Sequence, residues 1–594
     1  MDGAVEGRSA GAEDVARDGG HPSAPMRKAE LPVRKRGAAP RAGGAELLRG
    51  RQDEVPHVAR GSHRAGAPCD GALPPGEDAP RAGGERGAER AGGEPRQDPP
   101  SDDAFSASAV LYYEGLIAFL SGSKAASLTH ADLESQLDHD GRELIRQLFQ
   151  DHLELRARNE ERRGDVVSSS GVAHRAVEHD HERALSSIFG TVTVRRLAYR
   201  QRGEENLYPS DAALNLPEEL HSHGLRELSA IESTRGSFEE ARDAIRRSSG
   251  VALGKRQLEQ LAQRSAVDFE DFYATAPHEA VDDGDALVLS CDGKGIVMRP
   301  DALRPGTAKA AAQAKTKLET RLSKGEKRNR KRMAEVAAVY DVTPVVRAPA
   351  DIIGQDDDAL RPQAPKAKNK WLTASVVDDA AAVIEAAFDE ATRRDPAHER
   401  TWIALVDGAR HQIDRIEAEA KARGIDVAIV CDFVHVMEYL WRSAWSFFSE
   451  GDPAAEAWVA DKALRVLNGE ATTVAASIRR KATCLALDPD KRKNADACAD
   501  YLLAKKDYLH YDRALAQGWP IGTGVIEGAV RHLVKDRLDL TGSRWGLEGA
   551  EAILKLRALR TNGDFEDYWK FHLERERQRI HAVRYANGLI PMAA

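Results

Sequence analysis

Cysteine is scarce in this chain. Its 594 residues hold five: Cys69, Cys291, Cys431, Cys484 and Cys498. No two of them have zinc-finger spacing, and Cys291 and Cys431 fall inside apolar runs that read as buried strands. That excludes a disulfide scaffold and fits reduced thiols in a cytoplasmic protein. Long apolar runs are missing too, which argues against a membrane-spanning helix, and the first residues show no signal-peptide pattern. Nor is there an excess of positive charge. Lys and Arg number 86 against 95 Asp and Glu, a formal net charge of −9 with a pI near 6.1. These totals announce no nucleic-acid binder, but they average an acidic body over local basic runs. The length suggests about two to four domains.

Residues 1–105 are rich in Gly, Ala, Arg, Pro and Glu and poor in large apolar side chains. Such a segment buries too little surface to offset its ordering entropy, so disorder is expected. An Arg/Gly-rich tail also admits a nucleic-acid-binding reading. A third reading places the true start downstream. Only Met1 and Met26 precede Met298, so a start near Val110 or Leu111 would need an alternative codon.

Residues 106–275 read as mostly helical. Leu111, Leu116, Phe119 and Leu120, then Leu133, Leu137, Leu144, Ile145, Leu148 and Phe149, recur at helical spacing. The charged run to Arg163 is expected to prolong that second helix. Residues 189–199 alternate as a strand, closed by a turn at Gly203. Three helices should follow, over 225–232, from the capping box at Ser237, and over 255–264. Helix, short Gly turn, helix is the pattern of a helix-turn-helix, and equally of an ordinary helical bundle.

The next region, 284–450, carries the acids. A strand ends at Asp292, Gly293-Lys294-Gly295 reads as a turn into a second strand, and a third covers 335–342. Helix is expected over 374–392. Two apolar runs follow, Trp402–Val406 ending at Asp407 and Val427–Cys431 ending at Asp432. Between them lies a helical stretch stopped by Gly424. Residues 451–515 read as a polar helical insertion. In 516–594, a Gly-rich loop launches a helix over 525–538 with Glu527 in its first turn. The order is three strands, helix, strand, helix, strand, helix, insertion, helix. That is the order of the ribonuclease-H-like α/β fold, with Asp292, Asp407 and Glu527 on its first strand, fourth strand and last helix.

Any one of these acids alone would read as a turn residue or helix cap. Together, at the sheet edge where α/β proteins bind ligands, they suit hard cations, Mg²⁺ or Mn²⁺. Two such ions can stabilise the attacking and leaving oxygens of a phosphoryl displacement. Asp432 and His435 read either as a helix cap and a core histidine or as an accessory pair orienting a ligand. The basic segment 309–332, including Lys327, Arg328, Lys331 and Arg332, reads as a solvated linker or as a phosphate grip. Arg531, Lys535 and Arg537 follow Glu527 and are further DNA-contact candidates. Trp545 is a base-stacking wedge or core.

Several blocks resemble bacterial insertion-sequence transposases of the Kra type, within the Mutator-like superfamily. They are Cys291-Asp292-Gly293-Lys294-Gly295, Asp432-Phe433-Val434-His435, Gly518-Trp519-Pro520-Ile521-Gly522-Thr523-Gly524-Val525-Ile526-Glu527-Gly528, Arg531-His532-Leu533-Val534-Lys535-Asp536-Arg537, and Thr541-Gly542-Ser543-Arg544-Trp545-Gly546. Arg332-Met333-Ala334 with Val339-Tyr340-Asp341 joins them. The resemblance runs over about 189–585. It implies an Asp-Asp-Glu triad, a Cys-or-Asp-x-x-His pair lying outside that triad, DNA as partner and a homo-oligomer on DNA. Relatives often carry cysteines after the strand ending at Tyr199; this chain has none there, so no zinc site is expected. Two other readings stay open: another ribonuclease-H-like nuclease or resolvase, and a non-catalytic DNA-binding remnant.

Overall fold

Where the chain runs apolar for five residues between polar stops, it forms the short strands β6 (Trp402–Val406) and β7 (Val427–Cys431), and β6 is buried along its whole length. Such continuous burial is what a parallel strand covered on both faces requires. The computed structural model describes residues 107–164, 166–276, 284–313, 330–353, 362–540 and 542–591. The expectations for 1–105, and those for Lys327 and Arg328, lie outside the described residues.

Before the sheet come a hairpin and two groups of helices. Helices Ala107–Leu120 and His130–Arg158 pack against each other, and the second lies on the antiparallel hairpin of β1 (Ala176–Ser187) and β2 (Gly190–Arg200). The charged run does not carry the helix to Arg163; it ends at Arg158. Helices His223–Arg235, Phe238–Ser249 and Lys255–Arg264 share a core of Leu225, Ala241, Ile245, Leu253, Leu258 and Leu261. The expected capping box closes on the second of these, with Ser237 accepting from Glu240 N and the Glu240 carboxylate accepting from Ser237 N at 2.7 Å. Gly250 ends that helix at φ 75°, a left-handed cap that glycine adopts without strain. The third helix and the first pack against the later helix Leu547–Asn562.

The central sheet contains β3 (Ala286–Val297), β4 (Lys331–Val342), β5 (Ala367–Ser375), β6 and β7, in the spatial order β5-β4-β3-β6-β7. β3 and β5 each pair antiparallel with β4 between them, and β3, β6 and β7 run parallel. Helix Ala380–Arg394 packs on β3 and β4, and Leu547–Asn562 packs on β5. The fold is therefore α/β with a mixed sheet.

Two expectations need correction. Gly293-Lys294-Gly295 is not a turn: β3 runs through it and pairs with β4 along its length. The glycines serve close approach. A Cβ on Gly293 would stand 2.7 Å from Glu335 Oε2 and 2.9 Å from the Met333 methyl carbon. The second error is β5, whose lysine-rich first half hides a strand. Helix begins only at Ala380, after the Asp379 side chain accepts from Ala381 N and Ala382 N.

The insertion is helical, as expected, but it is not merely polar. Helices Pro453–Leu467, Ala471–Cys484 and Pro489–Ala504 bury Val459, Val466, Val474, Ile478, Cys498 and Leu502, and these belong to the main core. Among the described residues, no helix is long and apolar enough to cross a membrane.

Candidate active site

Register brings the acids together. Ser290 of β3 pairs with Leu405 of β6, so two residues further along each strand Asp292 comes level with Asp407. Val406 pairs with Cys431, so one more step puts Asp407 level with Asp432. Asp432 N donates to Val406 O at 2.8 Å, which holds that last step in line. Three acids thus stand in a row where the parallel strands end.

Each is held differently. Asp292 is half-buried, and its Oδ1 accepts from Gly293 N at 2.6 Å. Burial pushes its carboxyl above the usual carboxylate range, and the charges of Asp407 and Glu527 push the same way. Asp407 accepts from Ala409 N at 2.8 Å, across a turn made by Gly408 at φ 93°. A Cβ on Gly408 would meet Tyr501 Oη at 3.2 Å and Cys431 Sγ at 3.4 Å, so glycine is required here by conformation and space together.

Glu527 sits on the helix Gly524–Ala529, with Thr523 Oγ1 donating to its Oε1 at 3.3 Å. The expected single α-helix over 525–538 is interrupted: Val530–Lys535 is a π-helical turn before Asp536–Leu538. Arg557 donates to the carbonyls of Leu533, at 3.0 Å, and of His532, which supports the wider turn. Such turns recur at functional sites.

Asp432 is fully buried. One oxygen, Oδ1, accepts from Val434 N at 3.1 Å and from Thr523 N at 3.2 Å. The first bond is the helix cap, and the second holds the turn that launches Glu527. Asp432 thus caps one helix and braces the turn before another. His435 is half-buried, its ring 6.0 Å from that of Tyr439 and 6.4 Å from that of Tyr501.

The basic candidates divide. Lys331 is exposed at the start of β4, and Arg531 and Lys535 are exposed on the π-helical turn. Arg332 instead clasps backbone, donating to Val376 O at 2.6 Å, Val377 O at 3.1 Å and Ala302 O at 3.4 Å. Arg537 is a correction. It is buried, donates to Ser233 O at 2.9 Å, and lies 5.0 Å over Phe238 and 4.7 Å over Trp545. Burial pulls its guanidinium down to about 10, and a group so enclosed offers nothing to DNA. Trp545 is core, its Nε1 donating to Leu538 O at 2.9 Å.

Three residues outside the sequence-based set join the site. Tyr501 and Tyr511, both from the insertion, donate to Asp407 O at 3.4 Å and Cys431 O at 2.8 Å, the carbonyls at the ends of β6 and β7. Tyr501 also stacks on Tyr439 at 4.2 Å. Glu335 pairs with Gly293 across β3 and β4. Burial raises its carboxyl, the charge of His411 opposes that, and Asp292 reinforces it. Alternation along β4 was the only signal for Glu335; the tyrosines had none, because their contacts span 80 and 94 residues.

Donor chemistry fits a hard divalent cation: the three proposed ligands are carboxylates, and the half-buried Asp292 faces two like charges that a cation would offset. In the conformation described, no group of three His, Cys, Asp or Glu side chains among the described residues stands ready to hold one ion together. The fit is in donor type and placement at the strand edge. No protein-family model matches the chain, and no curated protein matches it in sequence.

Proposed function

We propose that this protein is a DNA transposase that cuts at the ends of its own insertion sequence and joins them to target DNA. The observation that carries the reading is the alignment of Asp292 with Asp407 at the parallel strand edge, with Glu527 close enough for its charge to act on Asp292. The antiparallel, antiparallel, parallel, parallel strand arrangement supports a ribonuclease-H-like core, because it is the one that delivers its first and fourth strand ends side by side. Asp292, Asp407 and Glu527 would hold Mg²⁺ or Mn²⁺, which when bound neutralises charge at the phosphate and lowers the pKa of an attacking hydroxyl. Asp432 and Thr523 keep Glu527 in place, and Gly408 with Tyr501 fixes the turn that follows Asp407. Arg531 and Lys535 face solvent beside Glu527, where DNA phosphates would approach. The protein would act in the cytoplasm as a homo-oligomer on DNA.

The test is purified full-length protein in Mg²⁺ with a plasmid bearing the element's ends and a second plasmid as target. Joined products require a DNA 3′-hydroxyl as attacker and support the transposase. Nicks without joining would favour the other nuclease, and DNA binding without either would favour the remnant. Asp407→Asn should abolish both steps, whereas Asp432→Asn should leave some activity. The reverse pattern would redraw the triad around Asp432.

A further inference from the structure

The first two helices carry an anomaly unrelated to the acid centre. Helix Ala107–Leu120 has one charged residue in its 14, Glu114. Its inner seam is Ala109, Tyr112, Leu116 and Phe119, spaced three, four and three. That seam faces helix His130–Arg158: Ala109 is buried, its N–H donates to Asp151 Oδ2 at 3.1 Å, and Tyr112 donates to Asp140 Oδ1 at 3.2 Å. A second stripe repeats the same spacing one position on: Val110, Tyr113, Ile117 and Leu120. These are 46%, 53%, 45% and 37% exposed. The long helix adds Leu137, Ile145 and Leu148, at 36%, 45% and 43%. A helix that is apolar all round is normally covered all round, and a contiguous exposed patch of large apolar side chains marks an interaction surface.

We propose that this outer face is a dimerisation surface and that its occupant is the same face of a second copy of this chain. The preceding residues, 1–105, are poor in large apolar side chains and have no stripe at helical spacing to lay over it. Nucleic acid is a poor fit, since the short helix has no Lys or Arg and one Glu. A bilayer fits no better. Fourteen residues span about 21 Å against a hydrocarbon core of about 30 Å, and the basic face of an interfacial helix is missing.

A second copy satisfies what the others do not. A stripe at three-four spacing is self-complementary across a two-fold axis, and two such hairpins make an antiparallel four-helix bundle. The seven exposed side chains of the patch would cover on the order of 550 Å² per copy, about 1,100 Å² in all, above the roughly 1,000 Å² that a specific interface must clear. Both charge signs border the patch in the pair Arg142–Asp138, as a polar rim requires. The face is also presented rigidly. Gln150 clamps β2 by donating to Thr193 O at 3.0 Å and accepting from Thr193 N at 2.8 Å. Leu153 beside it is buried with Leu185, Val192 and Val194. The inference does not depend on the chemistry proposed above.

Sedimentation of the full-length chain tests it. The wild type should sediment as a dimer. Tyr113→Asp with Ile117→Asp should shift it to monomer, weakening self-association at least 100-fold, with helical content unchanged because both side chains are exposed on the single chain. Val346→Asp and Leu589→Asp, at apolar positions elsewhere that are more exposed still, should remain dimeric. A nitroxide on Ile117→Cys, with Cys69 and Cys484 replaced by Ser, should report one short label-to-label distance across the axis. A monomeric wild type, an undisturbed dimer in the double variant, or the absence of that distance would each overturn the proposal.

Discussion

Two clusters of carboxylates in this molecule are built in opposite ways. At the strand edge, Asp292 lies close to Asp407 and Glu527, and burial and both neighbours act against its charge. Between the helical region and the C-terminal helix Phe565–Ile580, Asp268 and Glu576 are buried too, but among partners. His572 Nδ1 lies 2.6 Å from Asp268 Oδ2, Arg579 donates to Asp268 Oδ1 at 2.8 Å, and Arg226 donates to Glu576 at 2.6 Å and to His572 Nε2 at 3.1 Å. Burial pushes the Asp268 carboxyl up, but the hydrogen bonds from His572 and Arg579, and their charges, outweigh it and hold it well below the usual carboxylate range. The second cluster is electrostatically complete and fastens helices together. The first is incomplete, and the missing component is positive charge. Incompleteness, more than acidity, distinguishes a candidate site from a structural ion network.

The sharpest break of that comparison is neutralisation of one acid in each cluster. Asp292→Asn should eliminate cleavage, yet it should not lower stability at neutral pH. A carboxyl whose folded pKa is raised contributes stability below the ordinary carboxylate pKa and loses it as pH rises through the folded value. At pH 7 Asp292 is therefore a cost, and the variant should melt at or above the wild-type temperature. Mg²⁺ should raise the wild-type melting temperature and not that of the variant. A variant that melts lower, or that still responds fully to Mg²⁺, would remove Asp292 from the site.

Next in size is Arg226→Ala. It leaves Glu576 buried without its cation, and losses of about 3–5 kcal/mol follow when one member of such a pair is removed. Denaturant unfolding measures this directly. The pH dependence is the reverse of that for Asp292. Asp268, held low, contributes stability above the ordinary carboxylate pKa and loses it only as pH falls through its depressed folded value. Asp268→Asn should therefore narrow the stability gap between neutral pH and acid below the ordinary carboxylate range, and an unchanged acid profile would count against the network.

Asp432→Asn belongs to neither cluster cleanly, which makes it a middle case. It keeps a side-chain oxygen for Val434 N and Thr523 N but loses charge, and a supporting residue of this kind typically costs about 10–100-fold in rate. Arg531→Gln and Lys535→Gln should each reduce the salt dependence of DNA binding by roughly one unit, evenly across sequences. If neither changes the slope, DNA approaches elsewhere.

The sequence made parts of this legible and concealed others for physical reasons. Counting strands along the sequence reaches Asp407 at the end of the fourth through two errors that offset each other: the count splits β3 at its glycines and passes over β5. Both arose because glycine and lysine are weak strand signals whose use here depends on neighbours in other strands, Glu335 above Gly293 and the buried half of β5. Local devices were readable, including the Ser237 capping box and the stop at Gly424. Arg537 was misread because spacing along a helix cannot tell a solvent-facing arginine from one sandwiched between Phe238 and Trp545. The complete ion network was not readable at all, since Arg226 and Glu576 are 350 positions apart.

The smallest effect tests how the strand edge is held. The Tyr501 hydroxyl donates to the Asp407 backbone oxygen at 3.4 Å, while its ring stacks on Tyr439. Tyr501→Phe keeps the stack and deletes only that bond, a loss of about 0.5–1 kcal/mol at such a length. If the hydroxyl steadies the turn after Asp407, this should appear as a few-fold rise in the Mg²⁺ needed for half-maximal cleavage, with melting almost unchanged. Tyr508→Phe is the control. Its hydroxyl donates to Glu417 at 2.7 Å, a shorter bond made to a surface carboxylate away from the acids. It should cost as much or more in stability and nothing in Mg²⁺ dependence. Equal Mg²⁺ dependence in the two variants would mean that the insertion packs beside the site without positioning it. A rise confined to Tyr501→Phe would tie the insertion to the alignment of Asp407.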